Sequence, residues 1–131
     1  MGKKLAIKGH PTRGEEVIKL LEMMGGINES NHSGKGENSI YYLRYYVDNV
    51  VADILYQIYP NTNDDDFKIF TLEEFLERFP YKVGDEFCSP YDKITEMFWD
   101  EEDEWVYYKT EKSEGFITAL DIMTDSYARS R

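Results

Sequence analysis

The sequence has one cysteine and no long apolar run, and each shortage excludes a class of protein. Cys88 is the only cysteine among 131 residues, so the chain cannot form an internal disulfide and a reducing cytoplasm is the expected location. No hydrophobic run reaches the roughly 18 residues of a membrane-spanning helix, and no secretion signal is recognisable. We therefore expect a cytoplasmic protein without membrane contact.

Basic residues are also in short supply. The chain carries 15 of them against 26 acidic residues, for a formal net charge of -11. Direct nucleic-acid binding is not expected, because its affinity comes from Lys and Arg on the phosphate backbone. An acidic surface of this kind suits a basic partner, and the alternative is that the acidity serves solubility alone.

The chain lacks a matched set of catalytic or metal-binding residues. His10 and His32 are the only histidines, and no Cys/His spacing typical of zinc sites is present. Cys88 has no adjacent basic residue to favour a thiolate, and no two carboxylates have visibly unlike environments. We expect no metal, no cofactor and no enzymatic activity.

The sequence does contain enough apolar surface for a folded core. Its hydrophobic fraction is 41%, and it includes 11 tyrosines and 7 phenylalanines. A chain of this length buries roughly two-thirds of the surface that it exposes when unfolded. We expect one domain, or two very small ones that share a core.

The clearest local pattern is a capped helix at residues 71–79, preceded by a strand at residues 67–70. Thr71 and Glu74 have the spacing of a capping box, and Phe70 can pack on Phe75 as a hydrophobic staple. Pro80 ends the helix. One face carries an apolar stripe, which consists of Leu72, Phe75, Leu76 and Phe79.

A similar pattern predicts an earlier strand and helix. Residues 3–9 alternate as a strand, and Thr12 with Glu15 has the spacing of a second capping box. Gly25 and Gly26 end the helix, and one of them is expected to be left-handed. The buried stripe of this helix is predicted to be Val17, Ile18, Leu20, Leu21 and Met24.

The segment between residues 40 and 59 fits two structures. Its apolar residues follow a helical spacing, while its Tyr, Val and Ile content favours strands. Asp48 and Asn49 suit a hairpin turn, so we expect strands at 41–47 and 50–58 and keep a helix as the alternative. Residues 28–38 have almost nothing apolar to bury and are expected to form a mobile loop.

After the central helix, four short alternating segments predict antiparallel strands at residues 83–88, 93–99, 104–109 and 115–118. The fold class that we expect is α+β. An N-terminal β-α-β-β-β-α layer, residues 1–80, packs on a small C-terminal SH3-like antiparallel barrel, residues 81–131.

Residues 71–85 (TLEEFLERFPYKVGD) with residues 94–99 (ITEMFW) resemble a set of small uncharacterised proteins of gut bacteria and their phages. The C-terminal part of those proteins looks like an SH3-like or KOW-like barrel. The resemblance implies a bacterial host and a neighbourhood of mobile genetic elements, but no particular chemistry.

Residues 5–9 (LAIKG), Thr12-Arg13, the end of the first helix at residues 24–27 and a strand near Ile40 resemble the opening strand-helix-strand of a BRCT domain. The tryptophan-bearing helix of that family has no counterpart here, because Trp99 and Trp105 fall in the predicted barrel. The resemblance therefore concerns the fold of this opening alone.

One candidate site is a basic turn ahead of the first helix. A helix N-terminus offers free N–H groups and a positive dipole end to an anion. The candidate anion-binding residues are Lys8, His10, Thr12 and Arg13. A phosphate or nucleotide ligand is the corresponding function, and an ordinary capped turn is the alternative.

The other candidate site is acidic. Two clusters of carboxylates fall in predicted turns, at Asp64, Asp65, Asp66, Asp100, Glu101, Glu102, Asp103 and Glu104. Held on rigid turns, they could imitate DNA phosphates and occupy the basic cleft of a nuclease or another nucleic-acid enzyme. Non-catalytic binding of this kind, as in an anti-CRISPR or DNA-mimic inhibitor, is the function that we expect, and solvated turns are the alternative.

Overall fold

The computed structural model describes residues 3–45, 52–58, 66–79, 81–87, 92–112 and 117–118. Within these ranges the chain forms strands and helices in the order β1 (Lys4–Lys8), α1 (Gly14–Met23), β2 (Gly26–Ile27), β3 (Ser39–Tyr45), β4 (Ala52–Ile58), β5 (Phe67–Phe70), α2 (Leu72–Arg78), β6 (Glu86–Phe87), β7 (Asp92–Asp100), β8 (Trp105–Thr110) and β9 (Ile117–Thr118). The α+β class is confirmed. The N-terminal order matches the predicted β-α-β-β-β-α layer, with the short β2 added.

The N-terminal strands form one five-stranded sheet in the order β2-β4-β3-β1-β5. Strand β3 pairs antiparallel with β1 and with β4, while β1–β5 and β2–β4 are parallel pairs. The β3–β4 ladder runs from Ser39 opposite Ile58 to Tyr45 opposite Ala52. The hairpin strands are therefore confirmed and the helical alternative is wrong. The predicted turn at Asp48 and Asn49 lies outside the described residues.

The C-terminal strands form a four-stranded antiparallel sheet in the order β6-β7-β8-β9. Each strand pairs with the next along the chain, as the regular spacing of short strands predicts. Strands β6 and β9 have two residues each, and they do not pair with one another in the described part of the chain. The sheet is open there, so the closed barrel that we expected is not confirmed.

Both helices lie on one face of the five-stranded sheet, because their apolar stripes share a core with alternate residues of its strands. Leu5 and Ile7 of β1 face this core, and the intervening Ala6 faces a small second cluster on the other side of the sheet. All five residues of the stripe predicted for the first helix are buried, as are Leu72 and Phe75 of α2 and Phe79 directly after it, while Leu76 is half-buried. Complete burial of a side chain such as Phe75 contributes about 2 kcal/mol to folding.

The two predicted capping boxes have different outcomes. In α2 the Thr71 side chain accepts from the Glu74 N–H at 3.1 Å, and the Glu74 carboxylate accepts from the Thr71 N–H at 3.2 Å. The capping box and the Phe70–Phe75 contact, at 6.0 Å between ring centroids, are confirmed. The box at Thr12 and Glu15 is wrong, because α1 begins at Gly14 and its N-cap is Arg13, without a side-chain cap bond.

The C-terminal sheet adds its inner face to the core of the N-terminal half. Ile94, Met97, Trp99, Val106 and Tyr108 are buried in the same cluster as the helix stripes. A separation into units at 1–80 and 81–131 stays a prediction, and the described residues of both ranges share one core.

We expect the substitution Thr71→Ala to lower the free energy of unfolding by about 1 kcal/mol, because it removes the acceptor for an N–H at the start of α2. Thr12→Ala is the matched control. It removes a threonine side chain that is also followed by a glutamate three residues later, and it should change the free energy of unfolding by less than about 0.5 kcal/mol. Urea titration measures both changes, and equal losses would contradict the assigned caps.

A second prediction concerns the buried Tyr108. Burial is the main cause that raises the pKa of the Tyr108 phenol well above its ordinary value, and the neighbouring Tyr81 and Asp85 raise it further. A raised pKa in the folded state favours the neutral phenol, so its stabilising effect is complete below about pH 10 and is lost as the pH rises further. In an absorbance titration at alkaline pH, the native protein and Tyr108→Phe should form equal amounts of tyrosinate until unfolding. A difference of one tyrosinate before unfolding would contradict the burial.

Candidate functional site

Several of the predicted acidic residues meet at one end of the molecule. Strands β1 and β5 run parallel, and Asp66 directly precedes Phe67, which pairs with Lys4 at the start of β1. The neighbouring Lys3 N–H donates to the Glu104 carboxylate at 2.9 Å, so the β7–β8 turn reaches the same end. We call this group the acidic end, and it consists of Asp66, Asp100, Glu101, Glu102, Asp103 and Glu104. Asp64 and Asp65 lie outside the described residues.

The β7–β8 turn is held by its own carboxylates. One Asp100 oxygen accepts from the backbone N–H groups of Glu102 and Asp103, at 2.8 and 3.2 Å. The Asp103 carboxylate accepts from the Tyr107 hydroxyl. Glu104 has a φ of 51°, a left-handed conformation that closes a hairpin loop at a cost for a residue other than glycine.

These bonds divide the turn's carboxylates into two groups. Asp100, Asp103 and Glu104 accept hydrogen bonds within the fold. Glu101 is half-buried and Glu102 is exposed, and their carboxylates have no partner in the described part of the chain. Glu101 and Glu102 are therefore the turn residues whose charge remains available to a partner.

Sequence reasoning missed a second set of carboxylates on the helices. Each helix places its apolar stripe on the sheet and its acidic residues on the opposite, exposed face, at Glu15, Glu16, Glu22, Glu73, Glu74 and Glu77. The signal was present in the sequence, because a helix with one apolar stripe leaves its remaining positions in solvent. We call these six residues the helix glutamates.

The end of α2 lies against the start of β8. The Arg78 guanidinium carbon lies 5.9 Å from the centre of the Trp105 ring and 5.8 Å from that of Phe70. The Phe79 and Trp105 rings also meet, at 5.4 Å between centroids. Trp105 directly follows the acidic turn, so the C-terminal end of α2 lies near the acidic end. The glutamates of α2 therefore extend from the acidic end toward the start of α1.

The predicted anion site has a different internal arrangement from the one expected. His10 Nδ1 accepts from the backbone N–H groups of Thr12 and Arg13, at 3.2 and 3.1 Å. The ring therefore occupies two of the N–H donors that an anion would use. His10 Nε2 lies 2.9 Å from a Glu73 carboxylate oxygen of α2, and since Nδ1 accepts, we assign the proton to Nε2.

The cations of this turn face carboxylates of the same chain. Arg13 forms an ion pair with Glu16, and its guanidinium lies 3.9 Å from Glu73. The hydrogen bond between Arg13 and Glu16 raises the pKa of the first and lowers that of the second. A hydrogen bond from its own backbone N–H is the main cause that lowers the pKa of Glu73, and desolvation opposes this effect. The neighbouring His10 and Arg13 lower the pKa of Glu73 further.

Of the remaining two candidates, Thr12 is exposed and its hydroxyl lies 3.2 Å from His10 Nδ1. Lys8 is half-buried at the end of β1, opposite Ile40. The arrangement presents glutamates where an anion needs cations, so no observation of the structure favours the phosphate or nucleotide ligand.

The polar loop at residues 28–38 packs on this turn. The backbone N–H of His10 donates to the Gly34 carbonyl at 2.9 Å. The Asn28 side-chain amide donates to the His32 carbonyl and accepts from the His32 backbone N–H. A Cβ on Gly14 would lie 2.3 Å from the Ser33 carbonyl oxygen, so the two segments touch backbone to backbone. The sequence pattern indicated a loop, but it contained no sign of this close packing.

The structure brings together no group of three or more His, Cys, Asp or Glu side chains suited to a metal ion among the residues that it describes. His32 packs edge-on against Tyr41 and Tyr56 instead. Cys88 lies outside the described ranges. In the same ranges no helix combines the length and apolar character that crossing a bilayer requires.

Comparison with known proteins adds no relative. No protein-family model, no curated protein and no solved structure matches the chain. The resemblances to small phage-associated proteins and to the opening of a BRCT domain therefore stay predictions, and the function is inferred from the geometry above.

We expect Asp100→Ala to destabilise the protein by about 1 kcal/mol, because two backbone N–H groups in the turn lose their acceptor. Glu102→Ala is the control, since its side chain makes no such bond while its backbone N–H remains. Chemical denaturation of the two variants measures the difference. Equal stability would contradict the division of the turn into structural and outward-facing carboxylates.

Proposed function

We propose that this protein is a non-catalytic binding protein whose acidic surface contacts a basic protein partner. The observation that carries the proposal is the acidic end. Its turn is fixed by Asp100, Asp103 and Glu104, while the carboxylates of Glu101 and Glu102 have no partner among the described residues. The helix glutamates extend the negative surface along α2 and onto α1.

The physical basis is electrostatic complementarity with little ordering on binding. A turn held by several hydrogen bonds keeps its charges in place before the partner arrives, so less conformational freedom is lost in the complex. A surface of one sign also attracts an oppositely charged partner over a distance set by ionic strength. The formal charge of -11 has the sign that a basic cleft requires.

The partner class that we propose is a nuclease or another nucleic-acid enzyme, inhibited in the manner of a DNA mimic or an anti-CRISPR protein. Such enzymes hold the phosphate backbone with Lys and Arg. Carboxylates on rigid turns present negative charge to the same Lys and Arg side chains, in place of the phosphates of a nucleic acid. The resemblance of residues 71–85 and 94–99 to phage-associated proteins is consistent with this class.

Two finer expectations belong to the same proposal. The C-terminal sheet would complete an SH3-like barrel, which is supported by four antiparallel strands that pair in chain order. The compartment would be the cytoplasm of a bacterial host, which is supported by the single cysteine.

The test uses the double variant Glu101→Lys/Glu102→Lys, which reverses the outward charges and leaves Asp100, Asp103 and Glu104 intact. The immobilised native protein is offered the heparin-binding proteins of a bacterial extract, which are enriched in nucleic-acid enzymes. We expect it to retain a basic protein that is released by salt and displaced by duplex DNA. The double variant should bind that protein at least about tenfold more weakly.

The matched control is Glu29→Lys/Glu37→Lys, on the loop at residues 28–38. Each Glu→Lys change adds two charges, so both double variants shift the formal charge from -11 to -7. The control should bind as the native protein does. Equal weakening in both variants, undiminished binding in the first, or failure of DNA to compete would each contradict the proposal.

A further inference from the structure

The apolar core is partly open between the two helices. Most of its residues are buried, but four apolar side chains that pack against it are only half-buried, at Met23, Leu76, Tyr81 and Trp105. The first three of these line one groove, between the second half of α1, the end of α2 and the segment that follows α2. Accessible apolar surface that is gathered in one place is typical of a binding site.

We call this the helix groove. Among the described residues its apolar lining consists of Leu20, Met23, Leu76, Phe79 and Tyr81. Leu20 and Phe79 are buried, so they form its floor. The groove has a volume of about 390 Å³, which lies within the range of pockets that hold small organic ligands.

Two lysines line the same groove. Lys19 and Lys82 are both exposed, and neither ammonium group forms an ion pair in the described part of the chain. Glu16 also lines the groove, but its carboxylate is already paired with Arg13. The helix groove therefore combines an apolar floor with positive charge at its rim, although the formal charge of the chain is -11.

We propose that the helix groove binds a small apolar carboxylate of the fatty-acid class, with its hydrocarbon chain in the groove and its carboxylate against Lys19 and Lys82. The two lysines select an anion by charge complementarity. The apolar lining selects a hydrocarbon body, because burial of methylene groups is then the main source of affinity.

The type of cation favours a carboxylate over a phosphate group. An ammonium group is a point charge, whereas the guanidinium fork of arginine holds a phosphate through two parallel hydrogen bonds. No arginine lines the helix groove among the described residues, and the nearby Arg13 is paired with Glu16. A singly charged carboxylate is therefore the anionic group that this rim suits.

This proposal does not depend on the acidic end. It concerns a small molecule and a different set of side chains, and salt distinguishes the two kinds of binding. Apolar burial supplies most of the affinity for the carboxylate, so moderate salt should change that affinity little, while contact with a basic protein should weaken strongly. Either proposal can fail while the other holds.

Calorimetric titration of the native chain with hexanoate, octanoate and decanoate, each below its micelle-forming concentration, tests the site. We expect one saturable site whose affinity rises at least about tenfold from hexanoate to decanoate, because each buried methylene group strengthens binding by up to about fourfold. Octan-1-ol should bind more weakly than octanoate, and decyl phosphate no more tightly than decanoate. Amide NMR shifts should change at Met23 and Leu76 and stay constant in the β7–β8 turn.

Two variants separate the charged and apolar parts of the groove. Lys19→Gln/Lys82→Gln should weaken octanoate binding at least about threefold at low salt and leave octan-1-ol binding unchanged, because it removes two exposed ion pairs with the ligand. Met23→Gln keeps the length of the side chain and makes it polar, so it should weaken the binding of both ligands.

Lys4→Gln/Lys109→Gln is the matched control, because both lysines are exposed and neither lines the helix groove. Each Lys→Gln change removes one positive charge, so both double variants shift the formal charge from -11 to -13. The control should bind octanoate as the native protein does. Circular dichroism establishes that each variant is folded, and the exposed lysine pair decides the test if Met23→Gln does not fold.

Four results would overturn the proposal. They are the absence of saturable decanoate binding, equal weakening in both lysine double variants, a neutral alcohol or a phosphate that binds more tightly than the carboxylate of equal chain length, and NMR shifts that change outside the helix groove alone.

Discussion

The structure depends on the burial of Trp99 between the two halves of the chain. Its ring lies against Phe70 of the N-terminal sheet, at 6.3 Å between centroids, and its indole N–H donates to the Lys3 carbonyl at 2.9 Å. The ring is 7% exposed, so apolar burial and a satisfied polar atom act at one position. Met97 and Tyr108 enter the same core, and the two sheets therefore stabilise one another.

The same contact determines where the acidic end forms. Lys3 accepts from Trp99 through its carbonyl and donates to Glu104 through its N–H. One backbone residue thus ties the β7–β8 turn to the start of β1, beside Asp66. The acidic surface is a consequence of core packing, and it would be displaced by any change that moved the C-terminal sheet.

Carboxylates that look alike in the sequence have different roles in the structure. Glu74 completes a helix cap, Asp100 holds a turn, Glu73 accepts a hydrogen bond from His10, and Glu16 forms an ion pair with Arg13. A carboxylate engaged in this way contributes less to the binding of a partner, because part of its charge already interacts within the fold. The outward-facing residues are fewer than the composition indicates.

Local patterns in the sequence determined the two helices, the strands of both sheets except the short β2, and most of the core, since burial follows the helical and strand periods of apolar residues. The cap at Thr71 was predictable for the same reason, because all of its partners lie within three residues. The failed cap at Thr12 shows the limit of this reasoning. His10 accepts from the backbone N–H groups of Thr12 and Arg13, and the loop at residues 28–38 packs against Gly14. The second of these contacts joins distant segments and appears in no local pattern.

The sequence by itself determined an acidic α+β protein with an aromatic core, because composition and periodicity govern which residues are buried. Only the tertiary structure decided the order of the strands, the placement of Asp66 and the β7–β8 turn at the same end of the sheet, and the pairing of His10 with Glu73 across 63 residues. Those features arise from contacts between distant segments, which depend on how the sheets pack and not on any spacing along the chain.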